Sequence, residues 1–145
     1  MKTYSFINTQ CSLVGPGVTL NLGYGAGIAE EGITVEPAGD VNNMVIGADG
    51  QGFHNLHADK SGHITVRVLK TSPINGLLSA ALAFQRTSAA NWGQNGITIV
   101  NTALNDTITA QQVAFAKVPT VEYAKDGRFN EWRFDAIDID FGLGK

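Results

Sequence analysis

Three histidines fall within ten residues, in "HNLHADKSGH" from His54 to His63. Imidazole is the commonest protein ligand for zinc, so His54, His57 and His63, with Asp49 or Asp59 as a fourth ligand, are the first candidates for chemistry. The spacing argues against a site. His54 and His57 share a face only in a helix, and Gly50, Gly52 and Gly62 oppose one. The second candidate is the set Asp135, Asp138 and Asp140, since paired carboxylates do acid–base work. These aspartates alternate with apolar residues, which is the pattern of a solvated strand face. Cys11 is the only cysteine, can form no internal disulfide, and reads as a small core residue. "GADGQGF" (Gly47–Phe53) lacks the Gly-Lys-Ser/Thr ending and following helix of a phosphate loop, and the bidentate Glu of a calcium loop. It reads as a turn that needs positive φ. "GYGAG" (Gly23–Gly27) has no βαβ unit around it and so is no dinucleotide fingerprint. On these residues the chain has no catalytic set, no metal site and no cofactor site.

The elements around these groups are mostly strands. Period-two alternation marks Thr3–Asn8, Val18–Leu22, Gly32–Glu36, Asn42–Gly47 and His63–Leu69. The last third adds Ile97–Asn101, Thr107–Lys117, Thr120–Ala124 and Phe129–Phe141. Two of these change phase midway. Thr107–Lys117 does so near Gln111-Gln112. Phe129–Phe141 has apolar even positions (Trp132, Phe134, Ala136) and then apolar odd ones (Ile137, Ile139, Phe141). A phase change needs a bulge or a bend. One helix is predicted over about 72–88. Ser72 is placed to cap it, Pro73 suits its first turn, and Ile74, Leu77, Leu78, Ala81, Leu82 and Gln85 form a stripe.

The whole chain bounds the reading further. Its 145 residues suit a single domain over 1–145 that buries a core without disulfides or metal. Charged residues make up only 16%, against about 25% in ordinary soluble domains, so much of the polar surface is amide, hydroxyl and glycine. A net charge of −3 gives no basic footprint for gripping nucleic acid. The N-terminal residues do not read as a secretory leader, and no stretch approaches the roughly 20 apolar residues of a membrane span.

"GADGQG", "DKSGHITVRVLKTSPIN" and "LSAAL", with "NLGYGAGIAEEGITVE" before them and "RFNEWRFDAI" after, resemble the tail tube proteins of contractile-tailed bacteriophages, a family of small phage structural proteins. The architecture is similar to type VI secretion tube proteins. The likeness covers nearly the whole chain, and the order of the stretches carries it. It implies a mainly β fold: a β-sandwich or partial barrel of antiparallel strands with one flanking α-helix. It implies a virion protein with no enzymatic activity, assembled in the host bacterial cytoplasm into the phage tail. Six copies would close into a ring, and rings would stack into a tube inside a sheath, with DNA and a tape measure protein in the lumen. Baseplate or initiator and terminator proteins would be further partners, with no membrane involved. A protruding loop at about 47–62 would place Asp49, Gln51, Phe53, His54, Leu56 and His57 against a neighbouring ring or subunit. Glu30, Glu31, Glu36, Asp138 and Asp140 are the lumen-lining candidates. Other readings are a carbohydrate- or metal-binding β-sandwich using the histidine region with Trp92 and Trp132, a hydrolase using the aspartates, and a tube initiator or baseplate paralogue.

Overall fold

A computed structural model describes residues 2–144. The strands are β1 (Thr9–Gly15), β2 (Val18–Asn21), β3 (Ile28–Pro37), β4 (Asn42–Ile46), β5 (Gly52–Leu56) and β6 (Gly62–Leu69), followed by the helix α1 (Ile74–Gln85), then β7 (Asn95–Asn101), β8 (Asp106–Lys117) and β9 (Phe129–Gly142). Seven strands form one antiparallel sheet in the order β2-β1-β7-β8-β9-β6-β3, curled into a half-barrel. β4 and β5 stand apart as a two-stranded hairpin. The fold is therefore mainly β with one helix, in the partial-barrel form.

Alternation decides the two faces of the large sheet. In β6, Ile64, Val66 and Val68 are fully buried, while His63, Thr65 and Arg67 point to the other side. β9 matches them in register: Ile64 pairs with Phe134 and Val66 with Trp132. Phe115 from β8 packs on both rings, with centroids 4.9 Å from Phe134 and 6.0 Å from Trp132. Leu13, Leu20, Leu22, Ile97 and Val113 extend the same core. α1 lies against β2 and closes this side with Leu78, Ala81 and Leu82. Burying Leu78 and Leu82 is worth about 1.5–3 kcal/mol each.

The phase changes occur where the sequence indicates. Gln112 takes a left-handed φ of 54, and the β7–β8 register slips from Asn95↔Val113 to Ile97↔Ala110. On β9 the pairs Gln111↔Asp138 and Val113↔Ala136 put Ile137 opposite that bulge. Ile137 is thrown outward at 65% exposure, and Ile139 resumes the core. Two facing irregularities bend both strands at one level, which is how a flat sheet becomes a half-barrel.

Other expectations need correction. Thr3–Asn8 is not a strand: Phe6–Asn8 is a 3-10 turn whose start Ser5 caps by accepting from Ile7 N. The first strand begins at Thr9, after that turn. The helix is shorter than 72–88. Ser72 Oγ accepts from Ile74 N at 3.3 Å and donates to Ala26 O at 2.8 Å, but Pro73, not Ser72, stands at the N-cap and makes no side-chain cap, and the helix proper begins at Ile74. Leu77 lies half exposed outside the stripe. Gly52–Leu56 is a strand, because Ile46 and Gly52 frame a turn in which Gly50 takes φ 86. Thr120–Ala124 alternates like a strand yet has no regular structure. Alternation supplies a face to bury, and this segment has no neighbouring strand against which to bury it.

Candidate functional site

The histidines go to three separate partners. His54, on β5, accepts at Nδ1 from Asn42 Nδ2 at 3.1 Å across the hairpin. His57 Nδ1 donates to the carbonyl of Asp40 at 3.0 Å. His63, on β6, donates to Asp135 on β9 at 2.6 Å. Among the described residues no three His, Cys, Asp or Glu side chains converge to hold a metal. The aspartates are likewise divided. Asp135 belongs to His63, whereas Asp138 and Asp140 both face Lys60, with Asp138 at 3.8 Å and Asp140 in direct hydrogen bond. That hydrogen bond with Asp140 and the two negative charges raise the Lys60 pKa. The Ser61 hydroxyl and N–H lower that of Asp59 beside it. Cys11 lies in the core, and burial pushes its thiol up to about 12, so it offers no nucleophile.

What the fold does gather is a polar sheet face. Glu36 pairs in register with His63, and His63 with Asp135, forming a line across β3, β6 and β9. Two steps along the same face, Arg67 donates to Thr34 Oγ1 at 2.8 Å and approaches Glu131 at 3.5 Å. Asp138 and Asp140 continue the face beyond the bulge. Three of the five lumen candidates (Glu36, Asp138, Asp140) thus share one face, with Lys60, Arg67 and Arg133 among them. Glu30 and Glu31 lie elsewhere, in the β3 bulge between Ile28 and Ile33, where they line a groove of about 720 Å3 with Ile33, Val35, Ile108 and Phe141. Sequence reasoning missed Lys60 as the counter-charge because its partners lie some 80 residues away.

The contact candidates gather on the hairpin. Asp49 sits in its turn and accepts from Gln51 N at 3.1 Å. Phe53, His54 and Leu56 lie on β5, and His57 follows it. The hairpin is exposed along its length, with Leu56 at 84%. Register assigns two faces: Met44, Ile46, His54 and Leu56 share one, and Val45 and Phe53 the other. Both faces are therefore apolar and both are bare. Met44, Val45 and Ile46 were not among the sequence candidates, though their strand was visible. A two-stranded hairpin without a covering layer is marginal on its own. Exposed apolar area of this kind marks an interaction surface.

The model of a family described as bacteriophage PhiTE tail tube protein matches residues 1–144. Solved structures share the fold. The sheath/tube terminator of the extracellular contractile injection system PVC, in its extended state, superposes with a TM-score of 0.62 at 13% identity, covering 98% of each chain. A chain of the PVC sheath–tube complex gives 0.54 at 10% identity, over 92% of this chain and 88% of that one. A chain of the anti-feeding prophage baseplate gives 0.52 at 13%, over 100% and 98%. No curated protein matches.

Proposed function

The chain belongs to the bacteriophage PhiTE tail tube protein family, and on that footing we propose that it polymerises as stacked hexameric rings into the inner tube of a contractile tail, through which DNA is delivered. The bare hairpin carries this reading. Six apolar side chains (Val41, Met44, Val45, Ile46, Phe53, Leu56) stand in water on an element with no core of its own. A monomer gains nothing from them, whereas a polymer buries them at every repeat. Apolar residues on both faces suit a hairpin enclosed between two neighbouring subunits rather than laid on one. The single domain of residues 1–145 then offers this protrusion on one side and the curled sheet on the other. A protrusion on one part of the subunit meeting a receptor on another is a heterologous contact, which closes into rings or continues as a tube.

The polar face of β3, β6 and β9 is our choice for the lumen wall, with Glu36, Asp138 and Asp140 on it. Lys60, Arg67 and Arg133 offset part of the charge of Glu36, Glu131, Asp135, Asp138 and Asp140, so the wall would remain mildly acidic. Such a wall neither grips phosphate nor repels it far beyond a Debye length. Sheath, baseplate and terminator proteins would meet the outer wall and the ends, and a tape measure protein would fill the lumen during assembly in the host cytoplasm. No step in this role needs catalysis.

Negative-stain electron microscopy of the purified protein over a range of concentrations, with light-scattering mass, tests the proposal. Rings or hollow tubes of uniform diameter are expected, if necessary after seeding with baseplates. Protein that stays monomeric with such seeds overturns it. Single rings that never extend would instead assign an initiator role.

A further inference from the structure

The segment between β8 and β9 has the sequence of a strand and the environment of a loop. Val121 and Tyr123 alternate with Thr120, Glu122 and Ala124. Pro119 is buried and anchors the near end, but every residue from Thr120 to Arg128 is exposed, Tyr123 at 89%. Among the described residues, no backbone N–H from Thr120 to Ala124 finds an acceptor within the chain. Among the described residues, hydrogen bonds reach the segment from Lys70: its side chain donates to the Glu122 carbonyl and lies 4.4 Å from the centroid of the Tyr123 ring, and its backbone N–H donates to the Arg128 carbonyl at 3.2 Å. An extended stretch with unspent donors and one apolar side is the donor half of a strand-addition contact.

The acceptor half is also present. β3 ends the seven-stranded sheet and is paired on one side only, with β6. Its first part bulges, with Gly32 at φ 70, and so is twisted away from pairing. Its second part, Ile33–Pro37, runs straight for five residues, the length of Thr120–Ala124. Ile33 and Val35 border the groove described above, which Ile108 and Phe141 line from below. The charges agree. Glu30, Glu31 and Glu36 make this edge acidic, while Lys117, Lys125 and Arg128 outnumber Glu122 and Asp126 in and around the unpaired segment.

We infer that Thr120–Ala124 of one copy adds to the free edge of β3 in a second copy as an eighth strand, laying Val121 and Tyr123 over its groove. The two halves cannot meet within one chain. The segment is held at Lys70, just past the end of β6, whereas Ile33–Pro37 pairs with Gly62–Val66. Four to eight residues of strand separate them, or about 13–27 Å at the usual rise. The contact is therefore between copies. It covers the exposed edge that an all-β subunit otherwise presents to any passing strand.

This inference rests on self-assembly as proposed above, and hydrogen exchange separates the two. Amide exchange over 118–128 and over 32–37 is measured in dilute protein and in the assembled form. Assembly is expected to slow both segments by about tenfold or more, as pairing does for edge strands. Tubes whose 120–124 amides exchange as fast as in the free subunit overturn the strand addition and leave the tube reading intact. Absence of assembly even with seeds overturns the tube reading, and this inference with it. Glu122→Pro, which deletes one donor on an exposed residue, and the pair Val121→Asp with Tyr123→Asp should melt like the parent and fail to assemble. Variants that assemble like the parent overturn the inference.

Discussion

Asn75 donates through Nδ2 to the carbonyls of Leu69, Lys70 and Ser72, and accepts through Oδ1 from Trp132 Nε1 at 3.0 Å and Asn130 Nδ2 at 3.2 Å. One amide thereby ties the end of β6, the first turn of α1 and the start of β9. The sequence shows Asn75 as part of a helix start and conceals its reach to Trp132, which lies 57 positions away. Asn75→Ala leaves the indole N–H and three carbonyls to find new partners, and should cost about 2–4 kcal/mol in urea unfolding. The Gln85–Asn95 pair has the same character, with two amide–amide hydrogen bonds of 2.8 and 2.9 Å at a buried site. Helical spacing put Gln85 on the buried stripe, but nothing in the spacing named its partner. Cys11 makes a pH prediction. Its folded thiol stays neutral up to about 12, whereas an unfolded one ionises near the ordinary 9.0. The stabilisation is complete below pH 9 and falls as pH rises toward 12, by at most about 1.4 kcal/mol per unit. Lys60, raised by Asp140, acts in the same direction but is exposed and minor. Cys11→Ala should therefore flatten the alkaline limb of the stability curve, followed by denaturant midpoints between pH 8 and 10.5.

β8 shows how an element can carry its defect openly. The switch of apolar phase at Gln111-Gln112 was legible because a strand cannot bury both parities without a bulge, and φ 54 at Gln112 is that bulge. Gln112→Gly should be neutral or stabilising by up to about 1 kcal/mol, since glycine takes this φ without strain. Gln112→Val should destabilise by roughly 1–2 kcal/mol, because a β-branched side chain clashes there. Chemical denaturation of the two variants decides it. β5 was harder to see. Its glycine and histidine read as part of a loop, and only register against β4 reveals the strand. The opposite error at Thr120–Ala124 has the same root, since propensity describes a residue's fit to a pleated surface and cannot supply the surface. At Thr3–Asn8 the Ser5 hydroxyl captures Ile7 N–H and closes a turn where alternation alone suggested a strand.

On the scale of the molecule, the residues that hold the fold and those proposed for association are different. The core uses the seven-stranded sheet and α1, while the hairpin adds almost nothing to it. Phe53→Asp with Leu56→Asp should therefore leave the melting temperature within a few degrees of the parent, about 1 kcal/mol or less for exposed sites, and abolish tubes in the microscope. A large drop in melting temperature would show the hairpin to be part of the monomer core instead. The sequence exposed the strands and the helix because their periodicity is local. It hid the polar face and its ion pairs because these depend on which strands become neighbours. The order β2-β1-β7-β8-β9-β6-β3 has a further consequence. The last of these strands to leave the ribosome, β9, lies in the interior of the sheet and joins the β3–β6 pair to all the rest. A polypeptide released early by the translation machinery would hold two unconnected fragments of sheet and no shared interior. Such a product would lack the packed interior that resists proteolysis, so the topology itself would test each copy for completeness.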